Sequence, residues 1–145
     1  MTRIDFHTNL PDKLNYACRL ARKAWAVKGR VVLLARDRAE AAELDAALWT
    51  LADTDFLPHA MAGDALAAQS PLLVSYAGDP GFGAALPHHD MLINLGREIP
   101  DGFERFGRVF EIISTDEDDA AAGRQRYLAY KKNSYPLTHF VAGKS

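Results

Sequence analysis

Behind Gly29 runs Val31-Val32-Leu33-Leu34-Ala35, an unbroken apolar stretch between Arg30 and Arg36. A strand with one wet face alternates apolar and polar residues. A run without alternation reads as a strand covered on both faces, which is typical of a parallel sheet with crossover helices. The flanking segments agree. Asp12 is suited to cap a helix over residues 13–28, where Leu14, Ala17, Cys18, Ala21, Ala24 and Trp25 recur at helical spacing. Gly29 stands where a glycine closes a helix. Asp37 is suited to cap a second helix over residues 38–49, with Ala41, Leu44, Ala47 and Leu48 inward.

Arg3-Ile4-Asp5-Phe6-His7 alternates like a short strand, and strand–helix–strand–helix order predicts an α/β sheet. Leu72-Leu73-Val74-Ser75-Tyr76, Asp90 to Leu95, and Arg108 to Ile113 supply further strands. Residues 50–70 carry no clear period. Gly78, Pro80, Gly81 and Gly83 mark a loop, and Pro100-Asp101 opens a connection of about one helical turn carrying Phe103 and Phe106. An acidic stretch, residues 114–119, leads into a last helix over residues 117–133, and residues 134–145 form a tail. A length of 145 residues suits one domain, with a three-layer, mostly parallel α/β architecture over residues 1–145.

No signal peptide opens the chain and no apolar run reaches a membrane-spanning length, so a soluble protein without a membrane partner is expected. Cys18 is the single cysteine, which excludes an intramolecular disulfide and suits a reducing cytoplasm. Its apolar surroundings predict a buried, inert thiol. The net charge of −2 and a pI near 6.2 give no overall attraction for nucleic acid.

The usual chemistries lack their motifs. GxxxxGK[ST] is absent, and Gly78-Asp79-Pro80-Gly81-Phe82-Gly83 lacks GxGxxG spacing, so no ready phosphate cradle exists. HExxH, paired cysteines and a GxSxG elbow are missing. His88-His89-Asp90 is the best metal candidate, but adjacent residues of an extended segment point to opposite faces. A polar loop before a strand explains it as well. No cofactor, metal or catalytic residue is expected. A metal-dependent enzyme using this loop remains the rival from another class.

Two constellations resemble binding surfaces. Trp49 ends the second helix, and Phe56 follows beside Leu57 and Pro58. Such aromatics serve as core plugs or as interface anchors. Residues 120–145 hold Arg124, Arg126, Lys131, Lys132 and Lys144 without an acid. A helix dipole favours such an order, acids first and bases last. Arg124, Tyr127, Leu128 and Lys131 also follow i, i+3, i+4, i+7 and share a face. Cations flanking apolar side chains suit an acidic peptide with a hydrophobic end, and Arg grips a carboxylate bidentately. The same basic, tyrosine-bearing helix also suits single-stranded nucleic acid.

Leu44-Asp45-Ala46-Ala47-Leu48-Trp49, then Asp55-Phe56-Leu57-Pro58-His59 and Ala62-Gly63, resemble the chi subunit of bacterial DNA polymerase III. Asp90 to Leu95 is similar to that family's following strand, and Arg124 to Lys131 to its C-terminal helix. The resemblance implies a Rossmann-like α/β fold without nucleotide chemistry or catalysis. It also implies a place in the clamp-loader assembly of a cytoplasmic, nucleoid-associated replisome. The partners it implies are the acidic, hydrophobic-ended C-terminal tail of the single-stranded DNA-binding protein (SSB) and the psi subunit, with DNA reached through SSB. Carried over by motif, the tail site falls on Arg124, Tyr127 and Leu128, with Lys131 in the next turn and Leu137 and His139 in the tail. The psi-facing surface falls on Trp49 and Phe56, a surface a helicase could also use. One member of that family has a basic residue directly after the helix tyrosine, where this chain has Leu128, and Lys131 or Lys132 in the next turn is placed to compensate.

Overall fold

A computed structural model describes residues 1–50, 58–64, 67–83 and 86–143. Asp12 caps the first helix, α1 (Lys13–Ala26), its carboxylate accepting from the Asn15 amide at 3.1 Å. The end of α1 differs from expectation. The left-handed residue there is Lys28, at φ 62°, and Gly29 meets a different demand. A Cβ at Gly29 would fall 3.0 Å from the Ala24 carbonyl oxygen and press on Met91 Cε. The Ala24 carbonyl of the closing turn, more than the movable Met91 side chain, favours a glycine there. The second helix, α2 (Arg38–Thr50), is capped by Asp37, and Glu40 reaches back to the Arg36 amide at 2.8 Å.

The strands are β1 (Arg3–Leu10), β2 (Val31–Ala35), β3 (His59–Met61), β4 (Leu72–Tyr76), β5 (Met91–Asn94), β6 (Arg108–Ser114) and β7 (Leu137–Val141). They form one sheet in the order β3-β4-β2-β5-β6-β1-β7, with every pairing parallel. β2, the apolar run, lies near the middle with all five residues buried. Its odd positions, Val31 and Leu33, pack under Ala17, Cys18 and Ala21 of α1 and Leu44 and Leu48 of α2. Its even positions, Val32 and Leu34, pack on the opposite side with Phe6, Leu92, Phe106 and Tyr130. Tyr130 belongs to the third helix, α3 (Glu117–Lys132), which covers that side. The result is the expected three-layer, Rossmann-like arrangement. The sheet is all-parallel where a mostly parallel one was expected.

Two strands had not been expected: β3, from the stretch without a clear period, and β7, from the tail. Both are edge strands, and β7 is largely exposed. The connection after Pro100 is a short 3-10 helix, Phe103–Arg105. Cys18 is fully buried and its thiol pKa is pushed up by burial to about 11, so it stays protonated at neutral pH. No helix among the described residues is long and apolar enough to cross a membrane.

Candidate functional site

α3 sets the geometry of the main cleft. Asp116 caps it, accepting from the Asp119 amide at 3.0 Å, and its first turn carries Glu117, Asp118 and Asp119. Asp119, Gly123, Arg126 and Tyr130 form the buried stripe against the sheet. Gly123 allows the close approach, since a Cβ there would come within 2.9 Å of Ile113 Cγ1 on β6. Beneath the helix, Arg126 Nε donates to Glu111 Oε1 at 3.0 Å and the Tyr130 hydroxyl to Oε2 at 2.8 Å. Asn94 Nδ2 completes the set, donating to Glu111 at 2.9 Å.

The adjacent stripe of α3 faces outward over a cleft of about 600 Å³. Ala120, Gly123, Arg124, Tyr127 and Leu128 form one wall. Phe6, Thr8, Asn9, Ile113, Ser114, Thr115 and His139 form the other wall and floor, at the carboxyl ends of β1 and β6 and on β7. Open α/β sheets usually bind ligands outside the carboxyl ends of their strands. Asn9 shapes this end. It adopts φ 62°, the β1–β6 register shifts between His7 and Leu10, and Asn9 Nδ2 donates to the Ala142 carbonyl at 3.1 Å. The β1–β6 ladder is thereby interrupted at the cleft end of β1.

Tyr127 is half-buried and packs edge-on against Phe6 at 5.1 Å between centroids, and against His139 at 6.1 Å. His139 Nε2 lies 2.8 Å from Thr8 Oγ1, which fixes the imidazole on the β7 side of the cleft. Leu128 is 58% exposed at the rim. Arg124 is exposed and makes no ion pair or hydrogen bond among the described residues. The floor is therefore apolar and aromatic, with an uncommitted guanidinium at the lip. That arrangement matches the chemistry of a short apolar group joined to an anion.

Four of the sequence-predicted residues, Arg124, Tyr127, Leu128 and His139, meet in this cleft from two distant segments. Lys131 is exposed one turn farther along α3, outside the cleft wall. Leu137 is half-buried on β7, paired with Ile4 and packed on the core beneath α3. Sequence reasoning missed the facing wall of Phe6, Thr8, Asn9, Ser114 and Thr115. It also missed the Glu111–Arg126 pair, although an acid inside Val109-Phe110-Glu111-Ile112-Ile113 was a signal, since a buried carboxylate needs a partner.

The other candidates fall elsewhere. Trp49 lies in the last turn of α2 with 54% of its surface exposed, its ring 4.7 Å from that of His59 on β3. His59 Nε2 in turn lies 3.1 Å from Asp45 Oδ1. Phe56 lies outside the described residues. In the His88-His89-Asp90 loop each side chain has a local partner. His88 Nε2 is 3.1 Å from the Ser70 carbonyl, His89 Nε2 is 2.9 Å from that of Gly83, and Asp90 pairs with Arg30 at 2.8 Å. No group of three metal-type side chains occurs among the described residues.

A parallel three-layer sheet with a cation-rimmed cleft at its carboxyl edge defines a Rossmann-like α/β protein. The family model for the DNA polymerase III chi subunit, HolC, matches residues 1–138. DNA polymerase III subunit chi of Pseudomonas aeruginosa is 35% identical over 142 residues, covering 94% of each chain. The subunit of the same name from Haemophilus influenzae is 30% identical, over 84% of this chain and 82% of its own. That of Escherichia coli is 26% identical, over 83% and 79%. The chain belongs to the DNA polymerase III chi-subunit family, and is thereby a replication accessory subunit.

Proposed function

We propose that the α3 cleft captures the C-terminal tail of SSB and that the Trp49 surface joins the chain to psi and so to the clamp loader. The observation that carries the first half is the uncommitted Arg124 guanidinium over a floor of Phe6, Ile113 and Tyr127. A tail ending in a hydrophobic residue would set that side chain on the floor. Arg124 would then meet its terminal carboxylate or a neighbouring acid. Exposed ion pairs contribute only about 0–1 kcal/mol each, so the apolar floor supplies much of the affinity. A dissociation constant in the micromolar range, roughly −8 kcal/mol, is expected, and multiple tails on one SSB oligomer would raise retention by local concentration.

Strand order supports two independent faces. His139 of the cleft is on β7, and His59, against which Trp49 packs, is on β3, the opposite edge of the sheet. Six strand spacings of about 4.8 Å separate them by roughly 25–30 Å, so two partners can be held at once. On this reading the chain works in the cytoplasm at the replisome and reaches DNA through SSB.

The test is titration of a labelled Asp-Asp-Asp-Ile-Pro-Phe peptide with a free C-terminus. Native protein should bind it in a salt-sensitive way. Arg124→Ala should weaken binding up to about fivefold, and Trp49→Ala should leave it unchanged. Failure to bind either the peptide or whole SSB would remove the tail-capture reading.

A further inference from the structure

The opposite side of the same sheet end carries a second surface. Residues 13–36 hold seven of the chain's 17 Lys and Arg and no Asp or Glu, although the whole chain is net −2. On α1, Arg19 and Lys23 are exposed and pair with no acid among the described residues. They follow Tyr16 at i+3 and i+7, along one stripe of the helix.

That stripe leads to aromatic rings on the sheet. Side chains alternate along β1 and β7, so the residues beside those lining the cleft face α1's side. His7 of β1 is paired in register with Phe140 of β7, their rings 5.6 Å apart. The Tyr16 hydroxyl hydrogen-bonds His7 Nδ1, and the two rings lie 5.5 Å apart. Phe140 is 51% exposed on this edge strand. Farther down the same face, Arg3 and Arg108 both pair with Asp5, leaving one net positive charge.

We infer that this face, from Lys23 and Arg19 across Tyr16 to Phe140, binds single-stranded DNA directly. The cations track a phosphate backbone, and the exposed Phe140 ring, continued by the half-buried His7 and Tyr16, gives bases a stacking surface that duplex DNA, with its bases already stacked, does not use. An acidic peptide without an apolar side chain would use the cations and leave Phe140 unexplained. Membership in a DNA polymerase III subunit family puts the strand within reach. The contact is separate from the α3 cleft, which lies across the sheet, and does not depend on tail capture.

The experiment is a fluorescence-anisotropy titration of labelled oligothymidylate of about 15 nucleotides, without SSB, at two salt concentrations. Native protein should bind, with affinity falling as salt rises because phosphate contacts release counterions. The double variant R19E/K23E should lose binding about tenfold or more, and Phe140→Ala about fivefold or more through lost stacking. Arg124→Glu should leave oligonucleotide binding intact. An unchanged urea-unfolding midpoint establishes that R19E/K23E is folded, and retained binding of the acidic tail peptide separates the two sites. The proposal is overturned by no binding to the oligonucleotide, or by binding that Arg124→Glu abolishes while R19E/K23E spares it. Equal affinity for duplex overturns it too, as does equal competition by polyglutamate, which would assign the face to an acidic protein.

Discussion

Glu111 is a carboxylate with no exposed surface, held on β6 under α3. Burial pushes its pKa up, against Arg126, Tyr130 and Asn94, which all favour the charged form. Arg126 is 3% exposed and satisfies Glu111 through Nε, while its two terminal nitrogens are buried without a protein hydrogen bond. The pair therefore locates α3 more than it stabilises the fold. Arg126→Ala should leave a buried, unpaired carboxylate and cost about 3–5 kcal/mol, read from urea unfolding. Replacing both partners together, Glu111→Leu with Arg126→Met, should cost less than Arg126→Ala alone. A larger loss in the double variant would mean that the ion pair itself is a major stabilising interaction. The sequence announced half of this pair, a lone acid in an apolar strand. Its partner, 15 residues on, could not be chosen from among several nearby cations without knowing which face of α3 meets β6.

α3 shows how a single position sets the spacing of an element. Alanine is favoured over glycine inside a helix by about 1 kcal/mol. At Gly123 the new methyl group would nevertheless meet Ile113 Cγ1 at 2.9 Å, with Cδ1 closer still. Gly123→Ala should therefore destabilise by about 1–2 kcal/mol net. It should also weaken tail-peptide binding, because the displaced helix carries Arg124, Tyr127 and Leu128. Combining it with Ile113→Val, which removes Cδ1, should restore part of the loss in unfolding experiments. Strict additivity of the two changes would rule out the contact as the cause. The helices and buried strands were legible because their periods and caps are local. β3 and β7 were not. Each is short and lies at an edge, where one side of the strand has no neighbour to demand an apolar pattern, and β7 reads as a polar tail until β1 is beside it.

Two buried carboxylates tie the layers of the whole molecule together. Asp119 of α3 accepts from Lys13 of α1 at 3.0 Å, from the Ser114 amide at 2.7 Å and from Arg97 at 3.2 Å. Asp5 joins β1 to Arg108 of β6 and Thr138 of β7. Burial raises both pKa values, but the hydrogen bonds and cations outweigh it and hold both carboxyls below the usual aspartate range. A folded pKa below the unfolded one stabilises the native state at pH values above the unfolded pKa, near 3.9. That contribution is lost as pH falls from there through the depressed folded values. The contribution of these two carboxyls should thus be level from neutral pH to about pH 5 and fall steeply below about pH 4. Urea midpoints measured across this range would check it, and Lys13→Met should flatten the fall by removing one of the partners of Asp119.

The sequence alone determined the α/β class, the parallel sheet, the three helices and the family, because periodicity, capping and motif order are carried by neighbours along the chain. It also marked Arg124, Tyr127 and Leu128 as one helical face. Tertiary structure decided the rest. It brought His139, 12 residues beyond Tyr127, against that face, and supplied the facing wall from β1 and β6. It left Lys131 and Leu137 off the cleft and put Trp49 at the opposite edge of the sheet. The physical reason is that a cleft forms between elements. Its walls depend on strand order and on which side of the sheet each helix covers, and neither is written in the local pattern of any one segment.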